Sequence, residues 1–137
     1  MREVEFRGKN KYCSSWIVGY YYEKNGIVKI KNDYQDLEVD AETIGQYTGL
    51  KDKNGIKVFE GDIVRATSQL TGKSDRYCLV FDETRLHFGF RVSRHGYFYN
   101  IDELLSEELG DEIDFEVIGN IYDNPELLEV ADGEKIK

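Results

Sequence analysis

The sequence predicts a mainly β chain: antiparallel strands closing into a small barrel or sandwich, with one or two short helices. Three observations carry this expectation. Apolar and polar residues alternate at period two along most of the chain, turn residues recur at regular spacing, and a period near 3.6 dominates only around 100–110.

Residues 3–7, EVEFR, alternate charge with Val4 and Phe6, as a half-buried strand does, and GKNKY then reads as a turn. In SSWIVGYYYEKNGIVKI, Trp16, Val18, Tyr20 and Tyr22 share one face, and Ile17, Gly19 and Tyr21 share the other. Asn25-Gly26 predicts a tight hairpin turn with both central residues at positive φ, after which Val28 and Ile30 resume the alternation. A hairpin with aromatic pairing across it is expected. Residues 32–46 are polar, acidic and weakly periodic, so they read as a connection with one helical turn around DAETIG, capped by Asp40.

GLKDKNGIKVFEGDIVR, residues 49–65, has the charge density of a ligand loop but the spacing of a strand–turn–strand. Asn54-Gly55 is a second turn, Ile56 and Val58 alternate with Lys57 and Phe59, and Gly61-Asp62 turns the chain into the strand DIVRA. A polar loop follows at 67–75, and RYCLVF is apolar on both faces, as a central strand should be. Phe88, Phe90 and Val92 alternate, RHG turns, and YFYNI follows. Ile101, Leu104, Leu105 and Leu109 form a helical stripe, with Asn100 and Glu103 as a capping box and Gly110 as the stop. Phe115, Val117 and Ile121 share a strand face, and DNPELLEV opens a short helix with Asn124 as cap and Pro125 at its first position.

The chain of 137 residues is expected to form one domain. No stretch approaches the ~20 apolar residues of a membrane span, and the N-terminus has no signal-peptide core. Cys13 and Cys78 form no C-x-x-C pair, and two reduced thiols fit a cytoplasmic protein. The net charge of −9 is unevenly placed: no basic residue falls between Arg94 and Lys135, whereas the first 31 residues carry seven Lys and Arg against three Glu. A second, mildly basic region spans Arg65 to Arg94.

Motifs for chemistry fail on inspection. TGKS at 71–74 lacks the first P-loop glycine and precedes a strand, and DKNG at 52–55 departs from the calcium-loop pattern. His87 and His95 are the only histidines and stand in no metal-binding spacing, and Cys78 sits mid-strand, where thiols are inert. No catalytic residue, metal site or cofactor is expected. The candidate interaction surface is Trp16, Tyr20 and Tyr22 together with the acidic residues Glu103, Glu107, Glu108, Asp111 and Glu112.

MREVEFRGKN, WIVGYYY, VDAETIGQYTGLKDKNGIKVFEGDIVR and FEVIGNIYDNPELL, in this order and spacing, resemble the YopX family of phage and prophage proteins. The resemblance implies an SH3-like β-barrel with an added N-terminal β segment. On that basis residues 1–130 form a single domain, with 1–31 the added segment, 43–122 the barrel core and 131–137 a frayed tail. It carries over no catalytic residues, and Ala41 stands where relatives often place Pro. It also puts Val58, Phe59, Ile63 and Val64 near the core, with Glu60 and Asp62 at the bend. Ile63→Asp is then expected to abolish soluble expression, and Asp52→Ala to change little.

The leading expectation is a non-enzymatic binding module for a host or phage protein in the bacterial cytoplasm. One alternative is nucleic-acid engagement. Its direct form puts the basic N-terminal hairpin and the Arg65–Arg94 region on phosphates with Tyr stacking on bases; its inverse form has the acidic C-terminal third mimic a phosphate backbone. The other is an enzyme with dispersed acidic residues holding Mg²⁺. No membrane partner is expected, and edge pairing leaves a homo-oligomer open.

Overall fold

The computed structural model describes residues 5–82, 89–94, 97–100 and 113–128, with residues 81–82, 89–94, 97–100 and Leu128 described by backbone alone. The chain is mainly β, with antiparallel strand pairs, and divides into two compact units, Met1–Leu50 and Lys51–Lys137.

The first unit contains β1 (Phe6–Lys9), β2 (Trp16–Lys24), β3 (Ile27–Lys31), β4 (Asp36–Glu38) and β5, which begins at Gly45 and ends at Lys51. They lie in the order β4–β3–β2–β1–β5. The β2–β3 turn forms as its sequence requires, with Asn25 at φ 53° and Gly26 at φ 79°. Strict alternation then divides the sheet. Ile17, Ile30 and Val39 are buried on one side, with Phe6, Val28, Leu37 and Ile44 packed against them. Each of the three buried side chains contributes roughly 1.5–3 kcal/mol.

Four expectations for this unit need correction. Gly8 and Lys9 continue β1 where a turn was expected, because Gly8 pairs with Ile17 and its missing side chain makes room. A Cβ there would stand 3.0 Å from both Ile30 and Val39. The segment 32–46 is more than a connection, since β4 pairs with β3 through Lys29–Glu38, Ile30–Leu37 and Lys31–Asp36. Aromatics do not pair across the hairpin: Tyr20, Tyr21 and Tyr22 face Lys31, Ile30 and Lys29, because β3 carries no ring. The ring contact is instead Phe6–Tyr21, at 5.8 Å, between β1 and β2. Lastly, Asp40 does not cap with its side chain. The helical turn is a single 3₁₀ turn, Ala41–Thr43, in which the Thr43 amide and hydroxyl both donate to the Asp40 carbonyl, at 3.0 and 2.7 Å.

The second unit contains β6 (Lys57–Phe59), β7 (Asp62–Ser68), β8 (Ser74–Asp82), β9 (Gly89–Arg94), β10 (Tyr97–Asn100) and β11 (Ile113–Asn120). A five-stranded sheet runs β10–β9–β8–β7–β11. As expected for a central strand, β8 lies between β7 and β9. Val58, Val64 and Leu79 form a buried cluster with Tyr77, Phe115 and Val117 around it. Ile63, fully buried, points to the other face of β7, so that strand is covered on both sides.

β11 shifts register between Val117 and Gly119, which leaves Ile118 as a bulge. Gly119 is required there, since a Cβ would meet the Asn124 Oδ1 at 2.6 Å. The Asn124 side chain turns back to accept from the Asn120 amide at 3.3 Å, and the Asn124 carbonyl accepts from the Leu127 amide at 3.0 Å at the head of the terminal 3₁₀ turn Pro125–Leu128. No barrel closes among the described residues. The outer edge of β11 is instead met at Phe115 and Val117 by the turn at Asp52–Lys53. The expected helix at 101–110 lies outside the described residues.

The fully buried Ile63 sets a test. Ile63→Asp is expected to yield no folded soluble protein, whereas Ile63→Val should fold and lose only about 0.5–1.5 kcal/mol. Soluble yield and thermal melting read both, and an ordinary melting temperature for Ile63→Asp contradicts this placement.

Candidate functional site

The alternation that buries Ile17 and Ile30 turns every second residue of β1, β2 and β3 outward. Register makes this concrete: Lys9 stands opposite Trp16, Arg7 opposite Val18, Lys31 opposite Tyr20 and Lys29 opposite Tyr22. Side chains directly opposite in an antiparallel pair share a face, about 4.5–5.5 Å apart. Each aromatic on the outer face of β2 therefore has a cation across from it. Tyr20 is 73% exposed, Trp16 and Tyr22 are half-buried, and the Arg7 guanidinium stands over the Trp16 ring at 4.8 Å.

The β4 edge of this face is acidic and holds its neighbours in place. Tyr22 donates to Asp36 at 2.6 Å, and Lys29 lies 3.4 Å from the same carboxylate. The bond to Asp36 raises the Tyr22 pKa, and its counterpart lowers that of Asp36. Glu38 accepts from Lys11 at 2.8 Å and from the Tyr12 hydroxyl at 3.0 Å, which brings Tyr12, 78% exposed, to the same edge. The Lys11 bond holds the Glu38 pKa below its usual value. Such exposed pairs contribute little to stability, ~0–1 kcal/mol. Their effect here is to fix where rings and charges stand. The cations Arg7, Lys9, Lys11, Lys29 and Lys31 stand here with the carboxylates Asp36 and Glu38 and, by the same alternation, Glu5, on a protein whose net charge is −9.

Three of the expected surface residues, Trp16, Tyr20 and Tyr22, thus come together. Glu103, Glu107, Glu108, Asp111 and Glu112 lie outside the described residues, as do His87 and His95. Tyr12 was missed, because only the Glu38 bond brings it from the β1–β2 connection to the face. In the second basic region, Arg65 is paired with Glu116 across β7 and β11 at 3.3 Å.

The charged stretch 49–65 is structural, as its spacing suggested, but the neutrality expected of Asp52→Ala is corrected. Asp52 is buried, and its Oδ1 accepts from the Asn54 and Ile56 amides at 2.8 and 2.9 Å. Its Oδ2 accepts from the Val117 amide at 2.9 Å, while Lys53 donates to the Phe115 carbonyl at 3.1 Å. One carboxylate shapes the turn and fastens it to β11. Burial opposes its ionisation, and the three amide bonds outweigh that, so its pKa is lowered. Asp62, also buried, accepts from the Phe59 amide at 2.7 Å across the next turn. The TGKS segment is the β7–β8 turn: Gly72 and Thr71 donate to the Ser68 carbonyl and hydroxyl at 2.8 and 3.1 Å.

Burial, followed by the Asp62 and Glu60 charges, pushes the Cys78 thiol up to about 11, in keeping with an inert core residue. Cys13 is exposed, and its bond to Ser15 lowers its pKa. Among the described residues, no three His, Cys, Asp or Glu group as a metal site, and no helix is long and apolar enough to cross a membrane.

These features define a mainly β protein of antiparallel sheets whose N-terminal unit presents a cationic, aromatic face. The profile of the YopX protein family matches residues 5–129, and the chain belongs to that family. Its fold is similar to that in the crystal structure of protein EF1440 from Enterococcus faecalis, with a TM-score of 0.53 and 22% identity over 94% of this chain and 100% of that one. None of the curated proteins matches it.

Asp52→Ala is expected to cost about 1–3 kcal/mol, the range for leaving buried donors unmatched. Asp52→Asn should also destabilise, because its amide group must face a backbone donor at one of the three positions. A lowered folded pKa gives stability that is present above the ordinary Asp value of about 3.9 and lost as pH falls through the folded value. Acid titration of melting temperature should therefore show a loss below about pH 4 that is smaller in Asp52→Asn. Identical acid profiles would contradict the role given to Asp52.

Proposed function

We propose that this chain is a non-enzymatic binding module that engages an anionic macromolecule of the host or phage through the outer face of β1, β2 and β3. The observation that carries the reading is the pairing of each outward aromatic of β2 with a cation on a neighbouring strand. A fold needs none of these side chains outward, since the opposite face supplies the buried core. Exposed rings combined with a locally reversed charge are what an interaction surface requires.

The same proposal includes action in the bacterial cytoplasm and an SH3-like arrangement of the second unit. The meander β7–β8–β9–β10, with β11 returning to pair with β7, supports the latter.

The face can be altered without touching the core, which makes the reading testable. Tagged wild-type protein and a Tyr20→Ala/Lys31→Glu variant would be expressed in bacterial cells and recovered with whatever co-purifies. The expected result is an anionic partner present with the wild type and absent from the variant, at similar melting temperatures. A partner retained equally by both proteins contradicts the assignment of the surface.

A further inference from the structure

Resting on the binding reading above, we infer that the occupant of this face is a single-stranded nucleic acid, with bases stacked on the β2 rings and phosphates held by the cations opposite. Alternate residues on one side of a strand are about 6.6 Å apart, so Trp16, Tyr20 and Tyr22 form a row about 20 Å long. That length suits the shortest single-strand sites, about 4 nucleotides. Lys9, Lys31 and Lys29 stand one strand spacing from these rings, the offset between a base and its own backbone.

The aromatic component separates this occupant from an acidic protein segment. Carboxylates would be served by the lysines alone and would gain nothing from Tyr20 held 73% exposed. An unpaired base has a π-face for every ring, and stacking contributes about 1–3 kcal/mol per base. A duplex keeps its bases stacked on one another, so their faces are closed to the rings of β2. The Arg7 guanidinium over Trp16 adds a planar cation to the row. Asp36 and Glu38 on β4 stand opposite Lys31 and Lys29 and repel phosphates, which favours the β1 side of the row, at Arg7 and Lys9.

Trp16 is the only tryptophan in the chain, so its fluorescence reports on this face alone. Full-length protein would be titrated at low salt with an oligothymidylate of about 8 nucleotides, a blunt duplex and polyglutamate. The expected result is quenching by the oligothymidylate, at an affinity that falls as salt rises, by about 0.7 log unit per log unit of salt for each phosphate contact. Tyr20→Ala should weaken binding roughly 5- to 150-fold, the equivalent of one stacked base, and Tyr20→Phe should preserve it. Lys31→Glu should weaken it and flatten the salt dependence, while Tyr34→Ala, on the β3–β4 turn, should leave it unchanged. Binding of polyglutamate but not of the oligothymidylate, abolished by Lys31→Glu, overturns the nucleic-acid assignment and leaves the surface itself supported. Equal affinity for single strand and duplex overturns it too, because rings would then play no part. Binding of none of the three overturns both this inference and the reading it rests on.

Discussion

The pleat of the first sheet, locked in register, is the constraint on which the rest depends. Gly8–Ile17 and Tyr21–Ile30 are cross-strand pairs on the core side, so Lys9–Trp16, Tyr20–Lys31 and Tyr22–Lys29 must be pairs on the other. A slip of one residue would move Ile17 and Ile30 into water and carry the lysines into the core. The free energy of the buried side chains exceeds that of the exposed ion pairs severalfold. Apolar burial therefore sets the register, and the cationic face follows from it. Surface charge has little part in holding the fold, which leaves those positions available for binding.

In the second unit, buried carboxylates organise turns that apolar burial alone could not. Asp52 and Asp62 each accept backbone amides that would otherwise be left in the interior, at 2.8–2.9 Å for Asp52 and 2.7 Å for Asp62. Asp52 does more than shape a hairpin, since its bond to Val117 and the neighbouring Lys53–Phe115 bond cover the edge of β11. An uncovered edge strand is a template for unwanted pairing. The buried carboxylates of residues 49–65 thus serve the fold.

Local chemistry made much of this legible. Asn25-Gly26 announced its turn because two adjacent residues tolerate positive φ, and the alternation in WIVGYYY placed Trp16, Tyr20 and Tyr22 on one face. The family resemblance, beyond local chemistry, placed Val58, Phe59, Ile63 and Val64 near the core, and all four are buried. What escaped was long-range. The Asp52 partner Val117 lies 65 positions away, so nothing near Asp52 distinguishes it from any turn aspartate. β4 spans only Asp36–Glu38, too short to show a period. The cations opposite each ring become visible only with the register, and Tyr12 joins them through one hydrogen bond to Glu38.

A locally positive, aromatic face on an acidic protein can be measured directly through the single tryptophan. Trp16 fluorescence can be quenched with iodide and with caesium at equal ionic strength. A chain of net charge −9 would, on average, draw caesium. The cations around Trp16 predict the reverse, with iodide quenching more efficiently, whereas stronger quenching by caesium would contradict the account.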